Sequence, residues 1–265
     1  MILHDDEAGE KQENREEDFI AHVSRFSNSQ NAVRNADLSS NRPFHIEMEK
    51  LSDTVYCPDG VSRWFYERSC GKYNVMLARN GTTPARLKEL KRTRPNSKKI
   101  TKTDLAKYLF SWEQKPNLVS LGAQKNFAKF MDDVESRTTD GQAFSPNVRY
   151  FKTAVALGIL FVQANKQMRY AVSAFGANVT TYLIALISRK YNSRVNLDLI
   201  WERQDLSSTF KNQLRIWAKQ VFDRLEQTSN GKMISEWAKK PECWREIQAF
   251  TLSEPENAIP EIRRM

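Results

Sequence analysis

Residues 154–163 read AVALGILFVQ, a run with no charge in which only Gln163 is polar. It is about half the length a membrane span needs, so it predicts the middle of a helix buried inside a folded domain. Residues 148–163 and 177–190 both read as helices that are apolar on most sides, and such helices have to be enclosed by others. The flanking chain supplies the enclosing elements. Downstream, Phe210, Leu214, Trp217, Val221 and Leu225 form one stripe of a long amphipathic helix over residues 208–227, and two short helices then flank Pro241 and carry Trp237 and Trp244. Upstream, Leu105, Tyr108, Leu109 and Trp112 recur at i, i+3, i+4, i+7 behind a Thr101/Thr103 cap, and Phe127, Phe130, Met131 and Val134 repeat that spacing. No internal repeat is present.

Further upstream the pattern changes. Pro58-Asp59-Gly60 is a turn signal, followed by VSRWFYERSCGKYNVML, which is rich in aromatic and β-branched residues and broken at Ser69-Cys70-Gly71. Residues 61–78 therefore predict two strands with a tight connection. The expected fold class is α+β, predominantly α-helical, with a small antiparallel β-hairpin near residues 61–78. Phe44, Ile46, Met48 and Leu51 continue as a helix or an extended segment, and Ser27 with Gln30 matches a capping box ahead of a short helix. Three regions are expected: an acidic flexible N-terminal segment over 1–20, a mixed α/β basic region over 21–135, and a helical region over 136–265 that packs on it.

The chain has 265 residues, enough to bury a large core without disulfides or metals. Its three cysteines, Cys57, Cys70 and Cys243, form no C-x-x-C pair, and His4, His22 and His45 lie far apart. A disulfide framework or local zinc site is not expected, and the chain reads as cytoplasmic. The opening MILHDDEAGE lacks the basic start and apolar run of a signal peptide, and no membrane association is expected.

Net charge is +9, yet residues 1–20 hold eight acidic and two basic side chains, which leaves about +15 on the remainder. Between Gly60 and Trp112 thirteen Lys/Arg face only Glu67, Glu89 and Asp104. The candidate nucleic-acid contacts there are Arg63, Arg68, Lys72, Arg92, Arg94, Lys98, Lys99 and Lys102. Such a cluster either neutralises phosphates or lies as a solvated surface above a half-buried hairpin. Trp64, Phe65, Tyr66 and Tyr73 either stack on unpaired bases or turn inward as core. Residues 25–45, RFSNSQNAVRNADLSSNRPFH, add five carboxamides. Of these, Asn28, Gln30 and Asn31 are further candidates, either reading base edges and phosphates or tying the loop to its neighbours.

One enzyme-like pattern exists. Pro58-Asp59 followed by Glu89-Leu90-Lys91 fits the loose PD…(D/E)-x-K arrangement of metal-dependent nucleases, in which two acids hold a divalent ion and a lysine steadies developing charge. Its context is poor, because Asp59 precedes a turn glycine and Glu89 sits in a strongly basic helical run. Phosphate-loop, dinucleotide-binding, zinc-protease and nucleophile-elbow motifs are absent. His22 and His45 are isolated as candidate bases, and Cys70 between Arg68 and Lys72 has no evident base or resolving partner. No catalytic residue, metal ligand or cofactor is assigned.

SNSQNAVRNADLSSNRPFH at 27–45, WFYERSCGKY at 64–73, KKITKTDLAKYLFSWEQKPNLVSLGAQKNFAKF at 98–130 and SEWAKKPECW at 235–244 occur in that order. Together they resemble the C-terminal half of the abortive infection phage resistance (AIPR) family, from about Phe19 onward. The resemblance implies bacterial anti-phage defence, often beside restriction-modification genes. Longer members carry an upstream domain resembling restriction-type nucleases, then N-N-G and N-G-x-Q-T motifs ahead of the N-S-Q-N block. This chain has neither, so the resemblance implies a fragment, a split gene product or a naturally short relative, and no nuclease activity carries over. The expectation is a non-catalytic module that engages DNA or RNA. The alternative is an assembly module whose Trp-bearing helices and 208–227 stripe pack on a missing N-terminal domain or a second copy.

Overall fold

The apolar run does form the centre of the molecule. The structure is a computed structural model that describes residues 40–137, 143–172 and 176–263. The acidic segment, the Ser27–Gln30 capping box and Asn28, Gln30 and Asn31 lie outside the described residues. In chain order the elements are α1 (Pro43–Thr54), β1 (Phe65–Glu67), α2 (Lys72–Asn80), α3 (Pro84–Thr93), a 3-10 turn (Asn96–Lys98), β2 (Lys99–Thr101), α4 (Lys102–Trp112), α5 (Pro116–Ser120) and α6 (Ala123–Ser136). Then follow α7 (Val148–Ala171), α8 (Gly176–Tyr191), a second 3-10 turn (Asn192–Arg194), α9 (Leu197–Arg203), α10 (Ser208–Ser229), α11 (Ile234–Trp237) and α12 (Pro241–Ile247).

Helix starts follow local chemistry. Side-chain oxygens of Thr83, Thr101, Asn147, Asn196 and Ser207 each accept a backbone N–H of the first turn of α3, α4, α7, α9 and α10, satisfying donors that a helix end leaves open. Pro43, Pro84, Pro116 and Pro241 open α1, α3, α5 and α12, where the missing N–H costs nothing.

Helix α7 buries every residue from Ala154 to Phe161. Helices α4, α8, α9 and α10 pack around it. At Gly158 it lies close against α4, where a Cβ would lie 3.0 Å from the Tyr108 ring; one turn on, Phe161 meets the same ring at 5.1 Å between centroids. The stripe of α10 faces inward: Phe210, Leu214, Trp217, Val221 and Leu225 are all fully buried. Trp217 donates its indole N–H to the Ser253 carbonyl at 2.9 Å, so this stripe is covered by the chain's own core and C-terminal strap and offers no face to a partner. The strap is pinned by Glu261, whose buried carboxylate accepts from Ser207 N at 2.7 Å and Ser207 Oγ at 2.8 Å, and by an antiparallel bridge between Val195 and Ile262.

The expected antiparallel hairpin is not formed. β1 pairs in parallel with β2, with Phe65 opposite Lys99, Tyr66 opposite Ile100 and Glu67 opposite Thr101, and the connection between them is the helical pair α2–α3. Two features explain the difference. Tyr73, Met76 and Leu77 sit at i, i+3, i+4, a helical spacing. Gly71 takes φ +80°, turning the chain so that Tyr73 N donates to Glu67 Oε1 at 3.2 Å and α2 begins. The strand so released pairs with a distant segment and is buried throughout, as parallel strands usually are. Trp64, Phe65, Tyr66 and Tyr73 are core residues.

His45 lies in that core with no exposed surface. It shares a 2.6 Å hydrogen bond with the Tyr66 hydroxyl and stacks on Phe127. Burial first, then Lys102, Arg42 and Arg68, push its pKa down to about 3, so it is neutral in the fold and has the surroundings of a structural histidine.

Two predictions follow from this packing. Replacing a helical glycine by alanine ordinarily stabilises by about 1 kcal/mol; Gly158→Ala should lose that gain against Tyr108, and Gly158→Val should destabilise by about 1–3 kcal/mol, read by urea unfolding. For His45, the unfolded state takes up a proton as pH falls through 6.5 while the folded state does not until about 3. Stability is therefore full above pH 6.5 and declines as pH falls toward 3. The urea midpoint should drop across that window, with a shallower slope in His45→Phe.

Candidate nucleic-acid interface

The β1–β2 connection concentrates positive charge. Residues 72–99 hold nine Lys/Arg and one carboxylate, Glu89. α2 buries only Tyr73 and α3 buries no residue at all, so the pair stands at the edge of the fold with most of its side chains in water. Leu87, Leu90 and Thr93 are the half-covered positions of α3, while Arg86, Lys88, Lys91 and Arg92 are exposed, as is Arg79 on α2.

The cations singled out from sequence are mostly held by the protein itself. Arg68 donates to Glu49 Oε2 at 3.0 Å, and Lys72 pairs with the other oxygen of the same carboxylate. Arg94 meets Asp53 Oδ1 at 2.8 Å, and Lys99 meets Glu67 Oε2 at 3.1 Å. Lys98 donates to Ser62 Oγ at 2.6 Å and lies 4.0 Å from Asp59. Arg63 donates to the Asp53 carbonyl and lies over the Tyr56 ring, and its Nε is buried with no acceptor. Lys102 is 5% exposed and donates to Ser40 Oγ at 2.8 Å. Arg92 pairs with Glu89 in the helix, both more than half exposed, and a pair of that kind is worth little. By contrast Arg79, Lys88 and Lys91 have no ion pair among the described residues, and Arg86 reaches only the Thr82 hydroxyl at 3.5 Å. The sequence reading did not select these four as contacts. For Lys88 the signal is the helical phase of Leu87 and Leu90, which turns it outward; Arg86 and Lys91 flank those leucines, and only the structure shows that they are exposed.

Below the helical pair, between it, α1 and β1, lies a cleft of about 470 Å³. Phe65, Met76 and Leu90 give it apolar walls, and Asp53, Lys72 and Arg94 stand among its polar lining.

The nuclease-like residues are otherwise occupied. Asp59 accepts from Val61 N at 2.9 Å, Ser62 N at 2.8 Å and Ser62 Oγ at 2.5 Å. Those bonds, the Ser62 hydroxyl foremost, hold its carboxyl down at about 2: it is a turn-forming aspartate. Hydrogen bonding to Arg92 lowers the pKa of Glu89. Among the described residues no three His, Cys, Asp or Glu side chains cluster to hold a metal ion. Cys57 and Cys243 are buried and Cys70 is exposed, all as free thiols. No helix among the described residues is long and apolar enough to cross a membrane.

No match to the chain was found among curated proteins or among solved structures. The model of one family, described as AIPR protein, matches residues 8–229, a span that takes in α1 to α10 and both strands. That span covers most of the sequence, and the chain belongs to the AIPR protein family.

Proposed function

We propose that this chain acts in abortive-infection phage defence as a module, without catalysis of its own, that holds nucleic acid by its backbone. The AIPR family is associated with abortive-infection phage resistance. The observation that carries the nucleic-acid reading is α3, a helix that buries nothing and displays Arg86, Lys88, Lys91 and Arg92 to solvent. A helix of this kind adds little to the core. Lys88 stands three residues from Lys91 and four from Arg92, so like charges repel along one side. A phosphate backbone relieves that repulsion and releases its own counterions on binding. Because Trp64, Phe65, Tyr66 and Tyr73 are buried, the general affinity comes from charge and not from stacking on these rings.

Fluorescence anisotropy with single-stranded RNA, single-stranded DNA and duplex DNA over a salt series tests this. The wild type should bind with a steep salt slope. Exchanging Lys88 and Lys91 together for Gln should flatten that slope by about two, roughly one for each phosphate contact removed. An unchanged slope overturns the assignment of α3 as the contact surface.

A further inference from the structure

We infer that the cleft between α1 and the α2–α3 pair is a nucleotide pocket that selects guanine, with Asp53 reading the base and Lys72 and Arg94 meeting its phosphate. The inference rests on the nucleic-acid reading above and adds base selectivity to it. The cleft volume of about 470 Å³ falls within the range of small-molecule sites, about 300–1,000 Å³.

Its charge pattern narrows the ligand. Lys72 and Arg94 are both committed to carboxylates of the cleft lining, to Glu49 and Asp53, so a bare anion entering would meet two acids as well as two cations. A ligand that brings donors together with an anionic group suits both signs. The two acids differ in what they have left. Glu49 is only 19% exposed, with Arg68 on one oxygen and Lys72 on the other. Asp53 is half exposed, with Arg94 on Oδ1, and among the described residues no hydrogen bond reaches its Oδ2.

An ionised carboxylate only accepts, and each oxygen has room for a second donor. The base edge that matches it carries two adjacent N–H groups. Guanine offers N1–H beside its exocyclic amine, whereas cytosine and adenine offer the amine alone and thymine or uracil one ring N–H. The apolar side chains of Met76 and Leu90, both partly exposed in the cleft, then lie against the base, and Arg94, held by its Asp53 pair, lies beside the carboxylate for the phosphate. The outward cations of α3 would hold the flanking strand, so cleft and helix act on one ligand.

The test compares a thymidine oligomer carrying one central deoxyguanosine with the all-thymidine oligomer, by anisotropy on the full chain. Wild type should bind the guanine-containing oligomer roughly ten-fold tighter. Asp53→Asn should bring the two affinities together, while Lys88→Gln with Lys91→Gln should weaken both alike and keep their ratio. Equal wild-type affinities, or a ratio that survives Asp53→Asn, overturns the pocket. Met76→Trp, which fills the cleft without touching a charge, gives the same readout should Asp53→Asn fail to fold. If neither oligomer binds, the backbone reading has failed, and calorimetry with guanosine monophosphate judges the cleft by itself. Heat that disappears in Met76→Trp upholds the pocket, and no heat from wild type overturns it.

Discussion

Helix α7 carries Val155, Ala156, Leu157, Ile159 and Leu160 within six positions, all buried, so no side of that stretch can face water. The arrangement of the helices follows from that constraint. α4, α8, α9 and α10 each cover part of it, and the Gly158 contact lets α4 approach closely enough to bring Tyr108 against both the backbone and Phe161. α10 has to turn its whole apolar stripe inward for the same reason. That leaves the C-terminal strap to close over Trp217 and to fix itself through Glu261.

With the apolar demand met at one end, α2 and α3 are released from core duty. They contribute Tyr73 to the interior and otherwise carry charge. Three acids from neighbouring elements, Glu49, Asp53 and Glu67, draw in Arg68, Lys72, Arg94 and Lys99. Those pairs hold the helical pair against α1 and β1. Arg86, Lys88 and Lys91 of α3 lie beyond their reach and stay exposed. Two of these pairs, Lys72 with Glu49 and Arg94 with Asp53, line the cleft.

Much of the helical architecture is legible in the linear chain. The 3.6-residue periodicity marks α4, α6 and α10, runs that are apolar on most sides mark α7 and α8, and the Thr101/Thr103 cap marks where α4 starts, because these signals are local. The strands are not legible in the same way. A run as short as WFYERSCGKY reads as two strands as readily as a strand and a helix start, and the partner of β1 lies beyond two helices. The site divides likewise. That residues 60–112 are strongly basic is plain from the sequence, but the acids of α1 that neutralise part of that charge are remote from it, and no spacing rule connects them.

The sequence by itself determined that the chain folds around buried helices, that its positive charge gathers in one region, and that its ordered motifs resemble the AIPR family. Each depends on composition or short-range pattern. Only the tertiary structure decided that the strands pair in parallel, that the α10 stripe belongs to the interior, and which lysines and arginines are held or free. Those are contacts between segments far apart in the chain, and their geometry exists only once α7 has been enclosed.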